Sequence, residues 1–476
     1  MSTSSDRMLK LAYSVWPTGH HRSAWRLPSA YNQGTVDPAF LADTIRTAER
    51  GLFDYYFVGN AIKSDPATAG PSGNEVFKVE GFTLAAYAAA ITTHIGLVVT
   101  VNSTYVDPYN TARSVVTLDH LSRGRAGLNI ITGAVGSTGY QNFSSDRHAT
   151  ITEKYDRATE FIEIVHRLSD SWEDDWLVDD RANGVFLDTS KGHYVDHVGQ
   201  HFSVKGPLNV PRPPQGHVPL VHAGTSDRSF DFGAHYADIR FSPYRGKEWN
   251  KTYYSKVRSS LSEYGRNPSD QLIVPGIVPY VGESSKEAHR IYREVQNLTI
   301  DEYAPKILED FLGIDIGSVS ANEKFHSVVD VEKLREKFVT EDFELAATGD
   351  AWNPSRFTGD KYWALEQALA SFDDDEDITL RDVHHYIANF PGNQSPVVGS
   401  ADEVADWIEE NFLERAFDGV KLFPPYSRAP LDTFVDLVVP KLQRKGIFRT
   451  EYTTTTLRGH LGLERPENLF RTANES

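Results

Sequence analysis

The chain has 476 residues, 40% of them hydrophobic, and sets 48 Lys and Arg against 66 Asp and Glu for a formal charge of −18. That length can bury one large core or two or three ordinary ones, and the acidity argues against a nucleic-acid binder, because phosphate contacts need clustered Lys and Arg and no such cluster is evident. With no cysteine there are no disulfides, thiolate metal sites or cysteine nucleophile; with no apolar run of eighteen residues and no signal-peptide pattern at the start, the expectation is a cytoplasmic protein without a membrane span.

From Leu9 onward, short β-rich runs alternate with helical segments, the pattern of repeated βα units on a parallel sheet. "LKLAYSV" precedes the helical "FLADTIRTAERG", "DYYFVGN" precedes "EGFTLAAYAAAIT", and "IGLVVTVN" precedes "NTARSVVTLDHLSRG". "AGLNIIT" leads to a long helix in which Tyr155, Ala158, Phe161, Ile162, Val165 and Leu168 recur at spacings of three and four and mark one buried face. "VPLVHAG", "ADIRFSP" and "LIVPGIVPYVG" read as further strands. Ser400 and Glu403 form a capping box for "SADEVADWIEENFLE", ahead of the strand "GVKLFPP" and the amphipathic "LDTFVDLVVPKLQRKG". Eight strands with eight or so helices suit a closed (β/α)8 TIM barrel, which takes about 250 residues. The expectation is a single barrel domain over residues 1–476, with insertions at about 172–217 and 300–398 and an extended C-terminal tail. A doubly wound open sheet shares the alternation, but no G-x-G-x-x-G follows the first strand, where "YSVWPTGHHRSAW" stands. The acidic "DDDED" at 373–377 reads as a solvated loop.

Barrel enzymes draw their functional groups from the C-terminal ends of strands. Those ends supply His20 and His21, then Asn60, then Asn102, Ser103 and Thr104, then Asn129, Thr132 and Gly133, then His222 to Ser226, then Ser242. Amides and hydroxyls dominate, with neither a carboxylate pair nor a G-x-S-x-G elbow, and neutral donors and acceptors of this kind suit orienting a cofactor such as a flavin. Gly224, Thr225 and Ser226 sit between a strand and a helix start, where they serve either as a helix cap or as an anion site. Tyr155, on the first turn of the long helix, is either a core aromatic or a phosphate or flavin contact. His193, His197 and His201 would share a helix face in a metal site. Their surroundings read instead as a β-hairpin, in which four residues span about 13 Å, so no metal is assigned.

The segments "TGHHRSAWRLP", "RGLFDYYFVGN", "STYVDPYNTARSVVTLDHLSRGRAGLNIIT", "YDRATEFIE", "GHYVDHVGQHFSVKGPLNVPRPPQGHVPLVHAGTS" and "RKGIFRTEYTTTTLRGHLGL" run in order over about Leu9 to Leu463. On these the chain resembles the bacterial luciferase-like flavin-dependent monooxygenases, in the branch that holds nitrilotriacetate, EDTA and dibenzothiophene sulfone monooxygenases. The resemblance implies an FMN site at the barrel mouth, with Asn60, Asn102, Ser103 and Asn129 facing the isoalloxazine ring and Tyr155, Gly224, Thr225 and Ser226 holding the phosphate. It also implies a separate NAD(P)H:flavin reductase that supplies reduced FMN (FMNH2), O2 as co-substrate, a small organic substrate cleaved at a C–N or C–S bond, and a homo-oligomer. Asn129, Ser103 and His20 are the catalytic candidates, His20 at the substrate end. Two departures stand out: Asn60 replaces an Asp after the second strand, and "GAVGSTGYQNFSSD" replaces a charged loop after the fourth, retaining Asn142 and Phe143. A metal-dependent barrel hydrolase drawing on the 17 histidines and a non-catalytic FMN-binding protein are the alternatives.

Overall fold

A computed structural model describes residues 7–14, 16–60, 62, 77–133, 138–143, 147, 149–224, 227–301, 308–309, 311–317, 319–338, 360–370, 378–389 and 394–471. Eight parallel strands close on themselves: β1 (Lys10–Ser14), β2 (Tyr55–Val58), β3 (Gly96–Asn102), β4 (Ala126–Ile131), β5 (Leu220–Ala223), β6 (Ile239–Ser242), β7 (Leu272–Gly282) and β8 (Gly419–Leu422). Each pairs with its neighbour in chain order, and β8 returns to β1 through the register Leu11 with Val420 and Tyr13 with Leu422. The fold is a (β/α)8 barrel. A strand absent from the sequence reading, Gln394–Ser400, lies outside the ring and pairs with the far half of β7 from Gly276 to Gly282. It begins within the expected second insertion and runs past its end to the cap of the next helix.

The surrounding helices start where local chemistry dictates. Asp37 and Asp107 accept backbone N–H bonds ahead of Pro38 and Pro108 and so open α1 (Pro38–Arg50) and α3 (Pro108–Ser122), with α2 (Gly81–Ile91) between them. α4 (Ile151–Ser169) opens on a capping box of Thr150 and Glu153 and buries Ala158, Phe161, Ile162, Val165 and Leu168 on the expected face. α5 (Asp227–Tyr236) and α6 (Lys247–Ser260) follow β5 and β6, and α7 (Ser285–Gln296) follows β7. α8 (Ala401–Leu413) carries the capping box of Ser400 and Glu403 that the sequence announces.

Two excursions leave this frame. Residues 170–219 carry short hairpins, among them His197–Val198 paired antiparallel with Ser203–Val204, as the histidine segment suggested. Two of its histidines go to separate carboxylates, His193 to Glu173 at 3.0 Å and His197 to Glu160 at 2.9 Å, while the His201 Nε2 is buried without a hydrogen-bond partner. The segment after α7 builds a second apolar core from Leu308, Leu312, Phe325, Leu365 and Val383, which packs on Val278 and Tyr280 at the far end of β7 and on Phe423 just past β8. The run 373–377 lies outside the described residues.

The barrel floor is closed by the C-terminal segment. A short helix, Leu457–Leu461, places Leu457 and Leu461 among Ala12, Val98, Val221, Ile239 and Val274 inside the barrel. Gly96 and Gly127 make room for it, since a Cβ on either would come within 2.5 and 2.9 Å of Leu457. Arg458 anchors the helix by donating to the His217 carbonyl at 2.7 Å and pairing with Asp238 at 3.3 Å.

Candidate active site

The mouth at the C-terminal ends of the strands has two chemically distinct sides. On the side of β2 to β5, neutral polar groups converge. Asn60 Nδ2 donates to the Thr100 carbonyl at 3.3 Å, and Asn129 Nδ2 donates to Thr100 Oγ1 at 3.1 Å. Asn129 Oδ1 is buried with no hydrogen-bond partner, an acceptor waiting for a donor. Asn102 spends its Oδ1 on the N–H of Thr104 at 3.1 Å, and the Ser103 hydroxyl donates to the Ile131 carbonyl at 3.3 Å. Ser103 is wholly buried and committed to the backbone, so it shapes the rim of β3 and β4. Two cations from α4 hold the rim loops from behind. Lys154 donates to the Gly133 carbonyl at 3.1 Å and Arg157 to the Ser103 carbonyl at 3.1 Å, and burial pushes both cations below their usual pKa.

Tyr155 and Gly224 are brought together. The Tyr155 hydroxyl lies 3.5 Å from where a Cβ of Gly224 would stand, and Gly224 has φ +135°, a conformation that excludes an ordinary side chain. α5 begins three residues on, with its N-terminal dipole aimed at this corner. Thr225 and Ser226 lie outside the described residues.

Beneath the corner sits a residue the sequence reading missed. Arg240 on β6 points out of the barrel under α5, is 1% exposed, and donates to the Ser229 carbonyl at 2.8 Å and the Gly224 carbonyl at 3.3 Å. Its guanidinium also lies over the Phe230 ring at 4.7 Å. Among the described residues it has no carboxylate partner within ion-pair distance, so a full positive charge stands behind the turn. Gly233, in the middle of α5, leaves it space, because a Cβ there would overlap the guanidinium. His222 faces the same cluster, its Nε2 3.0 Å from Ser229 Oγ, and burial, with Arg240 nearby, pushes its imidazole down to about 3. The signal in the sequence was the pairing of a charged residue inside the apolar run "ADIRFSP" with a glycine inside a helix.

The other side, at β1, β6 and β8, is aromatic. Trp16, His20 and Phe423 cluster with ring centres 5.2 Å apart for Trp16 and His20 and 5.1 Å for His20 and Phe423. His20 has both ring nitrogens buried without partners, and burial pushes it down to about 3, so it is a neutral imidazole at physiological pH. It can pass or offer a hydrogen bond, but not as an imidazolium. His21 is structural, with Nε2 3.1 Å from Gln296 Oε1 on α7 and Nδ1 accepting from the Ser23 N–H. Gln296, Asn389 and the second apolar core thus tie the loop after β1 to the large insertion, and Trp16 and Phe241 at the mouth pack on that core. Phe143 stacks on Tyr105 at 5.1 Å, and Asn142 donates to the Ile62 carbonyl at 3.2 Å, closing the rim over β3.

The chain that builds this barrel mouth is similar to known proteins along nearly its whole length. The model of the luciferase-like monooxygenases matches residues 19–419. The chain belongs to the luciferase-like monooxygenase family. The monooxygenase is 34% identical over 469 residues to N-acetyl-S-(2-succino)cysteine monooxygenase of Bacillus subtilis, covering 98% of this chain and 99% of the relative. It is 34% identical over 474 residues to nitrilotriacetate monooxygenase component A of Aminobacter aminovorans, covering 98% of each. Among solved structures, a riboflavin lyase with modified FMN and riboflavin superposes with a TM-score of 0.78 at 24% identity over 97% of both chains, a likeness of fold. Among the described residues, no helix is long and apolar enough to cross a membrane.

Proposed function

We propose that this monooxygenase is the oxygenating component of a two-component system: it binds reduced FMN delivered by a separate NAD(P)H:flavin reductase and, with O2, oxidises a small organic substrate, breaking a C–N or C–S bond. The observation that carries the reading is the corner formed by the Tyr155 hydroxyl, the Gly224 turn, the N-terminus of α5 and the buried charge of Arg240, which together fit a phosphate. The unpartnered Asn129 Oδ1 fits a ring N–H of the same cofactor. A relative lends support, being named as component A of a monooxygenase, and a protein of the same fold is solved with a modified FMN.

Bound reduced FMN would supply the electrons that activate O2. The chain's own part is placement. Asn129 accepts from the ring while its Nδ2 is fixed by Thr100, so the acceptor is preorganised. Asn60 offers a hydrogen bond without the negative charge of an Asp, and Asn102 and Ser103 set the rim position through Thr104 and Ile131. Tyr155 donates to the phosphate and Arg240 neutralises it from behind the turn. Trp16, His20 and Phe423 shape the substrate end, where the His20 N–H hydrogen-bonds or relays a proton. The insertion, packed on Trp16 and Phe241, keeps water from that end.

The test is a titration of the protein with FMN and with FMN reduced by any NADH-dependent flavin reductase, followed by a screen for O2-dependent loss of nitrogen- and sulfur-containing compounds. Micromolar binding that Tyr155→Phe weakens, with substrate-dependent O2 uptake, supports the reading. No FMN binding, or binding indifferent to Tyr155, refutes it.

A further inference from the structure

β8 carries a lysine into the barrel. Val420 and Leu422 join the core outside the ring, so Lys421 between them faces inward. It stands in register beside Ala12 of β1 and Gly276 of β7, two residues too small to obstruct its stem. Its Nζ lies 3.7 Å from the ring centre of Phe57 on β2 and 3.6 Å from that of Phe241 on β6, with Phe423 at 5.0 Å. β2 and β6 are opposite one another in a ring of eight strands, so an atom touching both lies on the barrel axis. A Cβ on Gly276 would come within 2.8 Å of Phe423 and 3.2 Å of Phe241, so glycine there lets the rings close around the lysine.

Lys421 is 3% exposed and makes no hydrogen bond or ion pair among the described residues. The ring faces stabilise an ammonium but accept none of its three N–H bonds well. Burial alone pushes its pKa well below the usual lysine value, and no carboxylate pulls it back. His20, beside Phe423, has two partnerless nitrogens, and the charges that act on its imidazole are His21, Arg22, Lys78 and Lys421, with no carboxylate among them. In a chain of net charge −18, this pocket brings a lysine and an imidazole together with no carboxylate among the groups that act on either. A lysine with only a packing role would be inferior to methionine, which would fill the same space without losing hydration.

The geometry points to Lys421 as the anion-recognising residue of the mouth: on the barrel axis, with the His20 N–H as second donor, it receives a carboxylate of the substrate, which is therefore an organic acid. This rests on the reading of the mouth as an oxygenation site and adds the class of compound oxidised there. The substrate is the source of the anion because the groups assigned to the flavin lie on β2 to β5 and the corner before α5, whereas Lys421 and His20 come from β8 and the loop after β1.

The experiment titrates the full chain calorimetrically, with and without FMN, using acetate, succinate, citrate and nitrilotriacetate, with dimethyl sulfone as the neutral control. At least one di- or tricarboxylate should bind with a dissociation constant below about 1 mM and the sulfone should not. Lys421→Met should weaken that binding about 30-fold, as expected for a hydrogen bond to a charged group, while leaving FMN affinity unchanged and raising the unfolding temperature. The proposal is overturned if no carboxylate binds, if Lys421→Met binds it equally well, or if the variant loses reduced-FMN affinity instead. A lower unfolding temperature, or failure of both Lys421→Met and Lys421→Gln to fold, marks the lysine as a structural clamp and overturns it too. Absence of FMN binding in the unaltered protein would sink the oxygenation reading alone, since the titrations without FMN still report on Lys421.

Discussion

Replacing Gly233 with alanine sets two physical effects against each other. In a helix interior, Gly→Ala is favourable by about 0.5–1 kcal/mol, because the backbone has less freedom to lose. At this position, however, the new methyl would overlap the Arg240 guanidinium and stand 2.6 Å from its Cζ. An arginine end normally swings aside, but this one is 1% exposed and held by Ser229, Gly224 and Tyr253. Moving it breaks at least one buried bond to a charged group, about 1.5–3 kcal/mol, and crowding adds about 1–3 kcal/mol. The net expectation is destabilisation of about 2–4 kcal/mol, the opposite sign to helix propensity. Since Arg240 also donates to the Gly224 carbonyl, FMN affinity should fall about tenfold, or about 1.4 kcal/mol. Urea unfolding and FMN fluorescence titration of the Gly233→Ala variant read both quantities. A variant more stable than the parent, with unchanged FMN affinity, would refute the placement of Arg240 under the turn.

Tyr155→Phe removes a hydroxyl from a half-exposed position, so it should leave folding untouched and weaken FMN binding by about 1–2 kcal/mol, measured by titration. Asn129→Leu deletes the free acceptor and the bond to Thr100, and should weaken FMN binding by a similar amount, about 1–2 kcal/mol; equal affinity would remove Asn129 from the ring contact. Stability should fall steeply on acidification. Burial holds His20, His21 and His222 near 3, below their unfolded value, so the folded chain binds fewer protons than the unfolded one and their contribution, fully present above pH 6.5, is lost as pH falls through 6.5 toward 3. Each such group removes up to about 1.4 kcal/mol per pH unit in that window, and urea unfolding at pH 7.0 and 5.5 should reveal it as a lowered midpoint; equal midpoints would count against the burial of these rings.

The strands were legible because each is a short apolar run between turn residues, and the mouth followed from them, since strand ends define it. Asn129 and Tyr155 could be placed on that basis, although which amide oxygen stays free depends on Thr100, a residue from another strand. The placements of Arg240 and Lys421 were not legible. Both lie in strand runs whose periodicity is carried by neighbours, and whether such a charge points in or out depends on register around the ring. The strand Gln394–Ser400 was hidden because it pairs with the far half of β7, a partner more than a hundred residues away. A longer separation hid the role of Leu457, whose neighbours Gly96 and Gly127 lie far upstream and for which the segment "TTTTLRGHLGL" gives no periodic signal in so short a helix.

That late leucine has a consequence for how the molecule is made. All eight staves of the barrel leave the ribosome before the stopper does, so a nascent chain halted after β8 would have its walls in place around a hollow facing Gly96 and Gly127, open to water from below. Trims that remove Leu457 and Leu461 therefore act on the interior of the enzyme, even though they are made near its far end.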